Sequence, residues 1–376
     1  MNGKVRIGQV IRLSGAFVAC AIGSGFATGQ EVLQFFTVYG KGGILGAIVN
    51  TVLFAFCGFA FMRQGYQYSL SDPRKVSEFY FGRKLGPAAE IIMQIFLYGV
   101  FVIMIAGASA TLNEFFGIPP MVGRVLMAVI VFLTVILGLE KLSDVLGGLG
   151  PVIIVFALAT GVYGIFSGKL DFSAETMQAA SSIMPAASNW LFSSILYPGF
   201  NAVIVLFLSC GLGAKANNRE EASWGGAIGG MLFGLAVLVM NLGLTAHIGE
   251  IAAKSVPTLV IAGKIFRVFA VVFTVIICCG IYTTAVPMLW GPVRHFAEDG
   301  TKKARLLALG LSLVGILLGM TDFKKLVNII YPFSGYAGIL LMVLTAVRLI
   351  RPAGSAVKAP RLRPILQTGK TGRASI

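Results

Sequence analysis

Long apolar stretches follow one another almost without pause along this chain. Ten can be drawn, roughly over 9–36, 42–62, 88–114, 120–138, 142–167, 188–212, 221–246, 264–290, 304–320 and 326–349. About 20 apolar residues cross a bilayer as a helix, and tilted or broken helices run longer. The expectation is an all-α polytopic membrane protein with ten transmembrane helices. Composition agrees, because 12% charged residues is about half the share of a soluble chain. The first apolar stretch is too long for a signal-peptide core and lacks a clear cleavage site.

The net charge of +15 reads as topology and not as a nucleic-acid groove. Most of the 30 basic residues fall into alternate connections: Lys4, Arg6 and Arg12; Arg63, Arg74, Lys75, Arg83 and Lys84; Lys141; Lys215 and Arg219; Arg294, Lys302, Lys303 and Arg305; and the segment from Arg348 on. The positive-inside rule then puts both termini in the cytoplasm and the bilayer as the partner. The stretch 351–376, rich in Pro, Gly, Ser and basic residues, is expected to be disordered and to lie on anionic lipid. Cys20, Cys57, Cys210, Cys278 and Cys279 all sit in apolar stretches, without a CxxC pair, and read as packing residues. No cofactor is indicated, and protein partners are not readable.

Five spans per half make an odd number, so the second half must insert upside down relative to the first. The expected organisation is a first repeat over 1–168, an outer linker over 169–187 and an inverted repeat over 188–350. Segment 63–87, with Asp72-Pro73, suits an interfacial helix, and segment 247–263 suits either a re-entrant lid or a solvated loop. Gly225, Gly226, Gly229, Gly230 and Gly234 form overlapping small-xxx-small pairs and read as helix packing. Trp190, Trp224 and Trp290 lie near span ends, as interfacial anchors do.

Two spans carry glycine or proline near their middles, at matching places in the halves: Gly23-Ser24-Gly25 and Tyr197-Pro198-Gly199-Phe200-Asn201. Both helices 1 and 6 are expected to break there, leaving amides and carbonyls that only a cavity ligand can satisfy. Freed amides at Ala21, Gly23, Ser24 and Gly25 would receive a carboxylate. Phe26 and Phe200 would cover an apolar side chain, with Tyr98, Tyr197, Gly199 and Asn201 completing a substrate site. Ordinary helix packing is the other reading of each.

These breaks, with the five-plus-five topology, resemble the LeuT-fold amino-acid–polyamine–cation superfamily. More narrowly, Ile22-Gly23-Ser24-Gly25-Phe26-Ala27-Thr28-Gly29-Gln30-Glu31 resembles the start of the YkvI-type putative amino-acid permeases. The resemblance implies a multi-pass protein of a bacterial-type cytoplasmic (inner) membrane that moves a small amino acid or related zwitterion by alternating access. Carried over from sodium-coupled relatives, it implies a Na+ site at the carbonyls of Ala19, Ile22 and Gly280 and the hydroxyls of Thr283 and Thr284. Those threonines would otherwise bond back to their own helix. Proton-coupled relatives often place a lysine in span five, and none occurs between Lys141 and Lys169.

Glu31 is the sharpest ionisable candidate, since an intramembrane carboxylate is costly and usually functional. It would contact a substrate ammonium, close a gate with Lys324 or Lys325, carry a coupling proton, or sit hydrated in an outer vestibule. Glu90, Glu114, Arg124, Asp144, His247 and Arg267 read as interfacial. A permease-like receptor subunit of the spore-germinant type, similar in length and span count, and a proton-coupled transporter are the alternatives. HExxH, P-loop and nucleophile-elbow motifs are missing, so an enzyme is not expected, and no continuous polar row suggests a channel.

Overall fold

The computed structural model describes residues 5–137 and 143–350. Lys4, Lys141 and the tail 351–376 lie outside the described residues, as do the side chains of Ser24, Asp144 and the rest of 143–149. The first apolar stretch divides into α1 (Ile7–Ala21), α2 (Ser24–Thr28) and α3 (Gln30–Phe35), followed by a 3-10 turn at Thr37–Tyr39. Then come α4 (Lys41–Tyr68), α5 (Pro73–Phe116), α6 (Pro120–Leu137), α7 (Ser143–Ser167), α8 (Ala174–Ala180), α9 (Trp190–Ala214) and α10 (Arg219–Thr245). Two short helices, α11 (Ile248–Ile251) and α12 (Pro257–Ile265), precede α13 (Arg267–Phe296), α14 (Lys302–Leu318) and α15 (Phe323–Ile350). Among the described residues eight helices are long and apolar enough to cross a membrane: α4, α5, α6, α7, α9, α10, α13 and α15.

Local chemistry sets the helix starts. Asn189 accepts from the Phe192 amide, Asn218 from Glu221 and Thr301 from Ala304, each satisfying a first-turn donor. Loss of such a cap costs about 1 kcal/mol. Asp72 caps α5, with Pro73 in the first turn where its missing amide is harmless. Gly82, at φ 77°, then bends the chain. Residues 73–81 therefore form a separate arm whose Val76, Phe79 and Tyr80 are buried. Tyr80 donates to Gln64, Gln64 donates to the Thr345 carbonyl, and Arg348 lies over the Phe79 ring. That places the arm expected in segment 63–87 across the ends of α4 and α15.

The bundle is organised around α10. One face puts Gly226 and Gly230 against the carbonyls of Gly58 and Phe54 on α4, so closely that a Cβ on either glycine would overlap them. The adjacent face puts Gly225 against Leu13 and Gly229 against Phe17 of α1. Ser14 adds a hydrogen bond to the Gly225 carbonyl (2.9 Å). The span-seven glycines thus pack helices, as small residues do in membranes. Further pairings join α9 to α4, α5 to α13, α6 to α14, and α15 to α9 and α5.

The second expected break is not there. α9 is helical without interruption from Trp190 to Ala214, through Pro198. Pro198 takes away only the bond to the Ser194 carbonyl one turn earlier, and Asn201 Nδ2 adds one to the Tyr197 carbonyl (3.0 Å). Gly199 lies under α15, where a Cβ would meet the Gly335 carbonyl and where Gly338 comes closer still. The small residue serves close helix approach there.

Candidate functional site

The first break is real. α1 ends at Ala21, Ile22 (φ −77°, ψ 105°) and Gly23 (φ −98°, ψ 173°) are extended, and α2 begins at Ser24 with no side-chain cap on its first turn. A second interruption follows at Gly29, whose φ of 78° is left-handed and suits glycine. Thr28 bridges the two by donating to the Gly25 carbonyl (2.8 Å). Every residue from Gly25 to Thr37 is buried.

Glu31 closes over this break. Its side chain lies so near Gly25 that a Cβ there would overlap the carboxylate. Tyr197 of α9 donates to Glu31 Oε2 (3.2 Å), and the Tyr331 hydroxyl of α15 lies beside the same carboxylate. Glu31 is 5% exposed, and among the described residues no lysine, arginine or histidine pairs with it. The expected partnership with Lys324 or Lys325 is absent. Lys324 Nζ donates instead to the Ala253 carbonyl (3.0 Å), and Lys325 is exposed. Tyr331 lies seven residues further along α15, about 10 Å by helical rise, which puts the lysines beyond reach. The hydrated-vestibule reading falls with the burial.

Around the carboxylate the aromatic rings form one cluster. Tyr197 lies 5.2 Å from Phe35, 5.0 Å from Phe36 and 5.1 Å from Phe200, and Phe200 stacks on Tyr331 at 4.3 Å. Phe26 packs on Phe233 instead (5.6 Å), adjoining the same cluster through Phe54. Of the residues the sequence singled out, Gly25, Glu31, Tyr197 and Phe200 come together, with Ala21 and Gly23 at the break. Asn201 is occupied by the Tyr197 carbonyl and Gly199 by α15. Tyr98 is elsewhere, donating to the Leu311 carbonyl of α14 (2.9 Å). Tyr331 was missed, although Tyr331-Pro332 repeats the Tyr197-Pro198 pair and was the available signal.

Thr283 and Thr284 both donate to the Gly280 carbonyl (2.9 Å each), the back-bonded arrangement. Ala19 and Gly280 nevertheless border the same stretch of α7: Gly150 adjoins Ala19, and Ile153 adjoins Gly280. The two parts of the expected cation set therefore flank one turn of one helix.

Segment 247–263 is folded and not a solvated loop. Thr258 of α12 donates to the Ala27 carbonyl (2.8 Å), tying this element to the break. Glu114 accepts from the amides of Ser255 (3.1 Å) and Val256 (2.9 Å), just before α12. Lys264 donates to Glu250, and His247 bonds Ser167 (3.1 Å). The lysine bond, helped by His247, holds the Glu250 carboxyl below its usual range. A depressed carboxylate stabilises the fold fully above its ordinary pKa and loses that contribution as pH falls through the depressed value. Amide exchange over 248–265, corrected for intrinsic rate, should therefore quicken between about pH 7 and about pH 3. Lys264→Met should exchange faster already near neutrality, with little further response to acid.

No family model matches the chain. It is similar to the uncharacterized membrane protein YkvI of Bacillus subtilis (strain 168), 21% identical over 332 residues that cover 88% of this chain and 94% of YkvI. The uncharacterized protein YyaD of the same organism is 24% identical over 323 residues, 86% of this chain and 91% of YyaD. Among solved structures, MhsT in complex with L-phenylalanine gives a TM-score of 0.58 at 15% identity, over 91% of this chain and 88% of MhsT. A manganese transporter of Eremococcus coleocola gives 0.53 at 15% identity (93% and 78%), and inward-facing Mhp1 gives 0.51 at 12% (93% and 79%). The fold is the LeuT fold of these membrane transporters, and the chain is a multi-pass membrane protein.

Proposed function

We propose that this chain is a secondary active transporter of a small amino acid or related amine-bearing solute, working by alternating access in a bacterial-type cytoplasmic membrane. One observation carries the reading: an unwound Ile22–Gly23 segment sits inside the bundle with a buried carboxylate laid over it that no cation meets among the described residues. Bare backbone and an unpaired acid at membrane depth are both expensive, and a transport site is where both are used. MhsT, whose complex holds L-phenylalanine, supports an amino-acid-like solute. The manganese transporter does not suggest its cargo here, because the described residues hold no group of three or more His, Cys, Asp or Glu able to hold a metal ion.

In this reading α1–α3 form span one and α14 span nine, giving ten spans in two inverted repeats over 1–168 and 188–350. The packing supports it. Adding five spans turns the α1–α10 contact into the α9–α4 contact, while the α4–α10, α5–α13 and α6–α14 contacts map onto themselves. The likeness to YkvI over most of both chains supports placing the protein with the YkvI-type permeases.

Sodium is the proposed coupling ion, bound by the Ala19, Ile22 and Gly280 carbonyls and by Thr283 and Thr284 once their hydroxyls turn from Gly280. Five neutral oxygens suit a hard monovalent cation. A thermal-shift screen of amino acids, nucleobases and organic cations in sodium and in potassium tests this. A solute at 100 times its dissociation constant adds about 2.7 kcal/mol. Thr283→Ala with Thr284→Ala should abolish the sodium enhancement while leaving a folded protein. Undiminished enhancement in that variant would defeat the ion assignment.

A further inference from the structure

Two other carboxylates drawn into this fold, buried Glu221 and half-buried Glu114, have plain structural duties. Glu221 accepts from the Arg6 amide (2.9 Å) and from Asn217 (3.1 Å) at the start of α10, and Glu114 holds the amides before α12. Among the described residues Glu31 is met by neither a backbone amide nor a cation. One tyrosine hydroxyl, from Tyr197 of α9, donates to it and that of Tyr331 of α15 lies beside it, at the place where the first span is open.

From this we propose that Glu31 is the docking point for the cationic nitrogen of the solute. The transported class is then small organic ammonium ions, in which a carboxylate is dispensable. The proposal rests on the transporter reading above and narrows it.

A carboxylate at membrane depth is costly without compensation, and hydroxyls compensate only in part. An ammonium group arriving with the solute completes the pair, so the site favours a cation over a neutral or anionic solute. Geometry agrees. Gly25 presents no side chain between the carboxylate and the opened backbone, and any Cβ there would take the carboxylate's space. The surroundings fit the rest of such a solute: the rings of Tyr197, Phe200, Tyr331 and Phe35 form a connected cluster, and aromatic faces favour alkylammonium ions. A divalent metal fits poorly, since a single carboxylate supplies too few hard ligands and the described residues hold no group of three or more His, Cys, Asp or Glu able to hold one.

Three solutes sharing one side chain separate the possibilities: leucine, its decarboxylated form isoamylamine and its deaminated form isocaproate, with alanine, ethylamine and propionate as a second set. Binding to the full-length protein in detergent is read by thermal shift. Both amines should stabilise the wild type at least as well as the matching amino acids, and the acids should not. Glu31→Gln should weaken amine binding on the order of 100-fold, the loss expected when one member of a buried charge pair is removed. Glu31→Asp, which keeps the charge but withdraws it by one methylene, should retain the preference for amines over acids at roughly tenfold lower affinity. It decides the matter if Glu31→Gln does not purify as a folded protein. Wild type that ignores both amines, or Glu31→Gln that binds them as well as wild type, would overturn the assignment. So would amine binding to Glu31→Asp equal to wild type. An amino acid that stabilises wild type and Glu31→Gln equally would remove Glu31 from recognition yet leave the transporter reading standing, which solute flux decides separately.

Discussion

Replacing Gly25 with leucine is expected to abolish solute binding in a protein that still inserts and remains helical. The new Cβ would occupy the space of the Glu31 carboxylate, so the side chain must swing away from Tyr197 and Tyr331. Overpacking of this kind costs typically 1–3 kcal/mol, which lowers the melting temperature without preventing folding. Loss of a positioned charge at the binding site costs more, on the order of 100-fold in affinity. Thermal shift with and without solute reads both effects. Combining Gly25→Ala with Glu31→Ala should relieve the overlap and recover stability beyond the sum of the single changes, while binding stays lost. Normal affinity in Gly25→Leu would return this glycine to a packing role.

A larger structural effect is expected at Gly226. A Cβ there would overlap the Gly58 carbonyl, which is backbone and cannot rotate away. Gly226→Val should push α4 from α10 and, through the neighbouring Gly225 and Gly229 contacts, loosen α1 as well. A loss of roughly 3 kcal/mol or more is expected, from overpacking together with lost close contacts. The measured outcome should be little monodisperse protein after extraction. Gly211→Ala is the control, because nothing lies within 4 Å of a Cβ at that position of α9. It should be neutral or slightly stabilising, as alanine is the better helix former.

The sequence makes the membrane class, the position of most spans and the first break legible, because each depends on residues close together in the chain. Apolar length marks the spans, and Gly23 with Gly25 marks the break. What stayed hidden depends on neighbours far away. Pro198-Gly199 looks like a break, yet Gly335 and Gly338 of α15 turn it into a close crossing. Glu31 was visible as an isolated acid, but its partners lie 166 residues away at Tyr197 and further still at Tyr331. Its expected gate lysines face Ala253 and the surface instead. Gly29 stands in plain sight in the sequence, but its role as a second interruption depends on a left-handed conformation that composition does not reveal. Tyr98 shows the converse: a mid-span hydroxyl invited a site role, and a carbonyl on α14 satisfies it.

A transporter moves the solute it binds, and a sensor only binds it. Purified protein in proteoliposomes, preloaded with an excess of the best-stabilising solute from the screen, should take up the labelled solute in counterflow. Gly25→Leu vesicles should show only the leak. Binding by the wild type without any counterflow would contradict transport and make the chain a ligand-sensing subunit built on a transporter fold.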